Sequence, residues 1–79
     1  MSYLFEQLRN CLAANVKRRR VALGLSQEEL AFNSHIDRTY ISRIENSIGN
    51  VSLRIVCEIA ESLNTDPSDL LKCIDEPPQ

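Results

Sequence analysis

Residues 25–46 read LSQEELAFNSHIDRTYISRIEN, and how this stretch divides decides the fold. Ser26 precedes Gln27-Glu28-Glu29 and the apolar pair Leu30-Ala31. Ser26 and Glu29 stand at capping-box spacing, where the hydroxyl accepts from the third backbone N–H and the carboxylate reaches back to the cap N–H. That pairing starts a short helix over 27–33. A second start lies at Asp37, an N-cap residue, and the helix it opens over 38–45 carries Ile41 and Ile44 three apart. Between them, Asn33-Ser34-His35-Ile36 is turn-like and polar apart from Ile36. The stretch is two short helices joined by a tight turn.

Upstream, residues 3–23 predict a long first helix. Leu4, Leu8, Leu12, Val16 and Leu23 recur at three- to four-residue multiples without an intervening Pro or Gly. Gly24 follows where a left-handed residue commonly ends a helix. Downstream, residues 46–50 form a loop and Ser52 caps a fourth helix over 53–63. Its Leu53, Val56, Ala60 and Leu63 make one apolar stripe, with Ile55 and Ile59 beside it. Asn64 can end that helix in a left-handed conformation. Asp66 then caps a fifth, with Pro67 in its first position and Leu70, Leu71 and Ile74 on its apolar face. No strand-like alternation and no internal repeat interrupt this pattern. The expected fold is all-α: a compact five-helix domain over 12–74, in which helices two and three form a helix-turn-helix. Residues 1–11 extend the first helix, and 75–79 form a flexible tail.

A chain of 79 residues is one domain with a small core. Its three cysteines, Cys11, Cys57 and Cys73, are odd in number, far apart and without CxxC spacing. They read as reduced, partly buried thiols, not as a disulfide framework or a zinc site. No metal or cofactor is expected. No run approaches the ~18 apolar residues of a membrane span. Glu6 and Gln7 stand where a signal peptide would be apolar, so the expected location is the cytoplasm. His35 is the only histidine and has no neighbouring cysteine or acid pattern that would make a nucleophile or metal site. Glu28 and Glu29 are adjacent and diverge around the helix, so they make no catalytic pair. An enzyme is not expected.

The formal net charge of −2 is unevenly spread: residues 1–50 carry seven Lys/Arg against five Asp/Glu, residues 51–79 two against six. The basic side holds Lys17-Arg18-Arg19-Arg20, with Arg38 and Arg43 in the third helix. A local basic face matters more for phosphate binding than the overall charge. Four successive residues point around a helix, so only one or two of the run, Arg18 among them, can meet phosphate. In the third helix, Ile41 and Ile44 must face Leu30, Ala31 and Ile36. Arg38, Thr39, Ser42 and Arg43 are then left on the open face, with Tyr40 at its edge. An arginine can donate bidentately to guanine O6 and N7, and a threonine methyl can contact the thymine methyl. The Tyr40 and Ser42 hydroxyls can hydrogen-bond phosphates or base edges. Gln27, at the N-terminus of the second helix, stands where backbone N–H groups favour a phosphate. A solvated polar face explains any one of these residues, but less readily their concentration on one short helix after such a turn.

The segments NVKRRRVALGLSQEELA and IDRTYISRIEN resemble the lambda-repressor-like (Cro/XRE) helix-turn-helix family, and the resemblance extends over 12–71. The DRTYIS string, Asn50 and the short length most resemble controller proteins of restriction-modification systems, small dimeric regulators without a ligand-binding domain. The resemblance implies base contacts from Arg38, Thr39, Ser42 and Arg43 and phosphate contacts from Gln27, Tyr40, Asn50 and Arg18. It pairs the last arginine of helix one with the glutamate that ends helix three, here Arg20 with Glu45. It makes the last helix a two-fold seam, with Leu71, Ile74 and Asn64 at the interface and Leu70 in the core. Two positions depart from the family pattern: Ser47 stands where Gly usually follows Glu-Asn, and Val51 where Pro precedes Ser-Leu. The implied function is sequence-specific binding of double-stranded DNA by a homodimer on a palindromic operator, with RNA polymerase blocked or recruited. The alternatives are a phage-type repressor and an antitoxin-like protein-interaction module whose acidic second half is the partner surface.

Overall fold

Each helix after the first begins at the cap its sequence supplies. The Ser26 hydroxyl accepts from the Glu29 N–H at 3.0 Å, and Glu29 Oε1 accepts from the Ser26 N–H at 2.8 Å, which completes the capping box. Asp37 accepts from the Thr39 N–H at 3.1 Å and Ser52 from the Ile55 N–H at 3.2 Å. Asp66 accepts from both the N–H and the hydroxyl of Ser68, and these bonds hold its carboxyl below the usual carboxylate range. Such caps each contribute about 1 kcal/mol. The computed structural model describes residues 3–73, and its helices are α1 (Tyr3–Ala22), α2 (Gln27–Ser34), α3 (Arg38–Glu45), α4 (Leu53–Ser62) and α5 (Pro67–Leu71). No strand occurs among the described residues.

Four of the helices end in the same way. Gly24, His35, Ser47 and Asn64 take φ values of 75°, 59°, 62° and 55°. The N–H of the following residue then turns back five positions: Leu25 to the Arg20 carbonyl, Ile36 to Ala31, Ile48 to Arg43 and Thr65 to Ala60. This is the Schellman arrangement, which satisfies carbonyls that the helix end would leave unpaired. Only one of the four positions is glycine. At His35 and Ser47 a Cβ is carried in a left-handed conformation at a cost of about 1 kcal/mol.

The core gathers Leu12 and Val16 of α1, Leu30 and Ala31 of α2, Ile41 and Ile44 of α3, Val56, Ile59 and Ala60 of α4, and Leu70 of α5. Ile36 and Leu63 close it from the connections. Two features of the sequence pattern need correction. Leu53 opens α4 but lies outside its buried stripe, 75% exposed, because the stripe meets the core only from Val56 onward. Leu4 and Leu8 are exposed because the first turns of α1 run past the core, and Leu23 is exposed because it lies beyond the helix end.

The cysteines are the larger correction. Cys11 and Cys73 form a disulfide, and Cys57 is free and exposed. The α5 helix packs on α1, where the buried Asn15 amide donates to the carbonyls of Leu70 at 2.8 Å and Lys72 at 2.7 Å. That clamp brings residue 73 alongside residue 11. Ile74 and the expected tail over 75–79 lie outside the described residues.

Candidate nucleic-acid interface

The exposed face of α3 follows from the two isoleucines that anchor it. Ile41 and Ile44 are buried, which turns Arg38, Thr39 and Arg43 outward and leaves Tyr40 and Ser42 half-buried at the margins. Residues 35–37 link α2 to α3, and the helices pack through Leu30, Ala31, Ile36 and Ile41. Among the described residues neither Arg38 nor Arg43 makes an ion pair, so both charges are free to meet a partner.

Three groups fix the far end of α3. Arg20 donates from Nε to Glu45 Oε2 at 2.6 Å and from Nη2 to Glu45 Oε1 at 3.0 Å, while Nη1 donates to the Leu25 carbonyl at 2.7 Å. The hydrogen bond to Glu45 raises the Arg20 pKa above its ordinary value. The side chains of this pair are 12% and 3% exposed, and it tethers α1 to α3. Gln27 adds to it: its amide donates to Glu45 Oε1 at 3.0 Å. Gln27, which the sequence directs toward phosphate, is half-buried with one amide hydrogen committed to Glu45.

Beyond α3, the loop over 46–51 lies against the same face. The Tyr40 hydroxyl donates to the Asn50 carbonyl at 3.4 Å, and the Asn46 amide reaches the Ser42 hydroxyl at 3.5 Å. A depression of about 330 Å³ runs from Thr39, Tyr40 and Arg43 onto Gly49 and Asn50. Asn50 is exposed at its rim, and Arg18 is exposed on α1. Two residues of the first helix also enter the loop, unforeseen from the sequence: the Ser47 hydroxyl donates to Asn10 Oδ1, and Arg9 Nη1 donates to the Gly49 carbonyl at 3.4 Å. No periodicity points to them, because both are polar positions on a helix whose partner is an irregular loop.

Next to that loop, and sharing Arg9 and Gly49 with it, an apolar groove of about 190 Å³ is walled by Phe5, Leu8 and Leu12 of α1, Val51, Leu53 and Val56 of the fourth-helix region, and Leu71 of α5. Leu71 is half-buried there, while Asn64 is exposed at the end of α4. Among the described residues no cluster of His, Cys, Asp or Glu could hold a metal ion, and no helix is long and apolar enough to cross a membrane.

Residues 16–70 match the helix-turn-helix family HTH_3, most of the chain and the whole of α2 to α4. The control protein C.BamHI of Bacillus amyloliquefaciens is 49% identical over 48 residues, 61% of this chain and 59% of that protein. The control protein C.SmaI of Serratia marcescens is 40% identical over 67 residues, 85% of this chain and 80% of that protein. The structure of C.Esp1396I bound to a 19-base-pair DNA duplex superposes with a TM-score of 0.73 at 30% identity, covering 87% of each chain.

Proposed function

The chain belongs to the HTH_3 helix-turn-helix family and is a DNA-binding regulator, not an enzyme, and from that premise we propose that it controls a restriction-modification system as a homodimer on a palindromic operator. The observation that carries the reading is α3 itself. Two buried isoleucines hold it so that Arg38, Thr39 and Arg43 point outward together, without an ion pair among the described residues, which supports a helix that enters a major groove. Ser42 completes the base-facing set. Tyr40, Asn50 and Arg18 surround it as phosphate contacts, and Gln27 reaches phosphate with the amide hydrogen that Glu45 leaves free. Phosphate contacts of this kind fix register on the duplex, and the α3 side chains read the bases.

The second copy is proposed to dock on the apolar groove. Leu8 and Leu53 are large, exposed and adjacent to Leu71, and joining two such grooves removes apolar surface from water at about 25 cal/mol per Å². Two-fold pairing would set two α3 helices about one helical turn apart, ~10 base pairs centre to centre. Bound there, the dimer would block RNA polymerase or recruit it.

Selection from a random-sequence duplex library at fixed salt tests this reading, since affinity for DNA depends steeply on ionic strength. A palindrome with half-sites near one turn apart is expected. A folded protein that enriches no sequence would overturn it and leave the protein-interaction module as the better account.

A further inference from the structure

We propose that Arg9 and Asn10, in the first turns of α1, are positioning residues for DNA recognition. They brace the loop over 46–50 from behind so that it seats Arg43 and presents Asn50. The inference rests on the reading of Arg43 and Asn50 as DNA contacts.

The contacts of the loop supply such a brace. Ser47 closes α3 at φ 62°, a left-handed conformation that disfavours any side chain. Non-glycine residues hold such conformations where the surroundings over-determine them. Here the surroundings come from one turn of α1. The Ser47 hydroxyl donates to Asn10 Oδ1, a bond that glycine at this position could not make. One residue earlier on α1, Arg9 Nη1 donates to the Gly49 carbonyl. The Arg9 guanidinium lies 5.1 Å from the centroid of the Phe5 ring, and its Nε is buried. Arg9 is therefore held along the helix surface, pointing into the loop.

The other face of Gly49 touches the recognition helix. A Cβ at Gly49 would lie 3.2 Å from Arg43 Nη2, the mobile end of that side chain, and the backbone there has φ 81°, so it is the conformation that calls for glycine. A single residue thus separates Arg9 on one side from Arg43 on the other. The next residue, Asn50, accepts from the Tyr40 hydroxyl. Any shift of the 47–49 backbone moves the seat of Arg43 and the position of Asn50 together. The N-terminal extension, which reaches no expected DNA contact itself, acts on recognition through this loop.

A double-mutant cycle tests the brace. The probe is the duplex that the wild-type chain selects from the random library, and the variants are Arg9→Ala, Asn10→Ala, Arg43→Ala and the Arg9→Ala/Arg43→Ala pair, with thermal unfolding measured beside affinity. Arg9→Ala is expected to weaken binding roughly tenfold, the size of one charge-assisted hydrogen bond. In the Arg43→Ala background its further effect should shrink to less than about twofold. Asn10→Ala removes no charge and should weaken binding in the same direction, which keeps the test sound if Arg9→Ala folds poorly. Equal effects of Arg9→Ala in both backgrounds overturn the brace, as does an Arg43-dependent affinity that neither Arg9→Ala nor Asn10→Ala alters. If Arg43→Ala binds like wild type, or the wild type selects no duplex, the underlying reading of the site fails and the brace with it.

Discussion

His35 and Ser47 show what a single residue can hide. Both take the backbone conformation that glycine takes at Gly24, and both end a helix by the same pair of hydrogen bonds. Gly24 and Asn64 announce this role by residue type, since glycine and asparagine enter left-handed conformations readily. Histidine and serine carry no such signal, so the tight link in the middle of the helix-turn-helix is legible only as a polar turn. Among the described residues the exposed His35 side chain has no hydrogen-bond partner that would offset its φ of 59°. His35→Gly is therefore expected to stabilise the fold by up to about 1 kcal/mol, less what the more flexible unfolded chain gives back. Chemical denaturation measures it; a destabilisation of that size would show that the imidazole packs where the structure leaves it exposed. Gln27 is the other residue whose role spacing could not settle, because its partner Glu45 lies on a different helix.

Among elements, the tether between α1 and α3 was implied by resemblance and the staple between α1 and α5 was not legible at all. Arg20 and Glu45 sit at helix ends whose approach depends on the whole α1–α2–α3 path. Removing the carboxylate strands a guanidinium that is only 12% exposed and also frees Gln27. Glu45→Ala should cost on the order of 3 kcal/mol of folding stability, read from denaturant midpoints at constant slope. An unchanged midpoint would mean that the pair contributes no net tether. The disulfide joins residues separated by 62 positions. Cysteine count and spacing cannot reveal it, because the proximity is created by Asn15 capturing the two α5-end carbonyls. Closing a loop of that length restricts the unfolded chain, so Cys73→Ser should lower stability by up to about 4 kcal/mol. Unfolding curves with and without reductant give a second reading: the wild type should fall to the variant's level when reduced, and equal curves would argue that the bond adds nothing to the native state.

At the scale of the whole molecule, the caps and the 3.6-residue periodicity were enough for five helices in the right places. The surface was harder. A pattern of apolar residues distinguishes helix from strand but not an inward leucine from an outward one at a helix end, and Leu8 and Leu53 fell on the wrong side of that line. Their exposure, next to Leu71, is what the proposed dimer groove is built from. Leu53→Asp leaves the core untouched because the side chain is 75% exposed, so the variant should remain folded while sedimentation finds it monomeric at concentrations where the wild type is expected to dimerise. A variant that stays dimeric would move the seam elsewhere. Charge divides along the same lines: the basic residues lie with α1 and α3 and the acidic excess with the second half, so a net charge of −2 is compatible with one phosphate-seeking face.

The most direct test of the account is a side-by-side selection of duplexes by wild type and Arg38→Ala at one salt concentration. The wild type should recover a palindrome with half-sites about one turn apart. Arg38→Ala should keep that spacing, lose about 1–3 kcal/mol and relax its preference at one symmetric pair of positions. The same base preferences from both proteins would show that α3 does not read the sequence through Arg38, and would contradict the recognition-helix assignment at its centre.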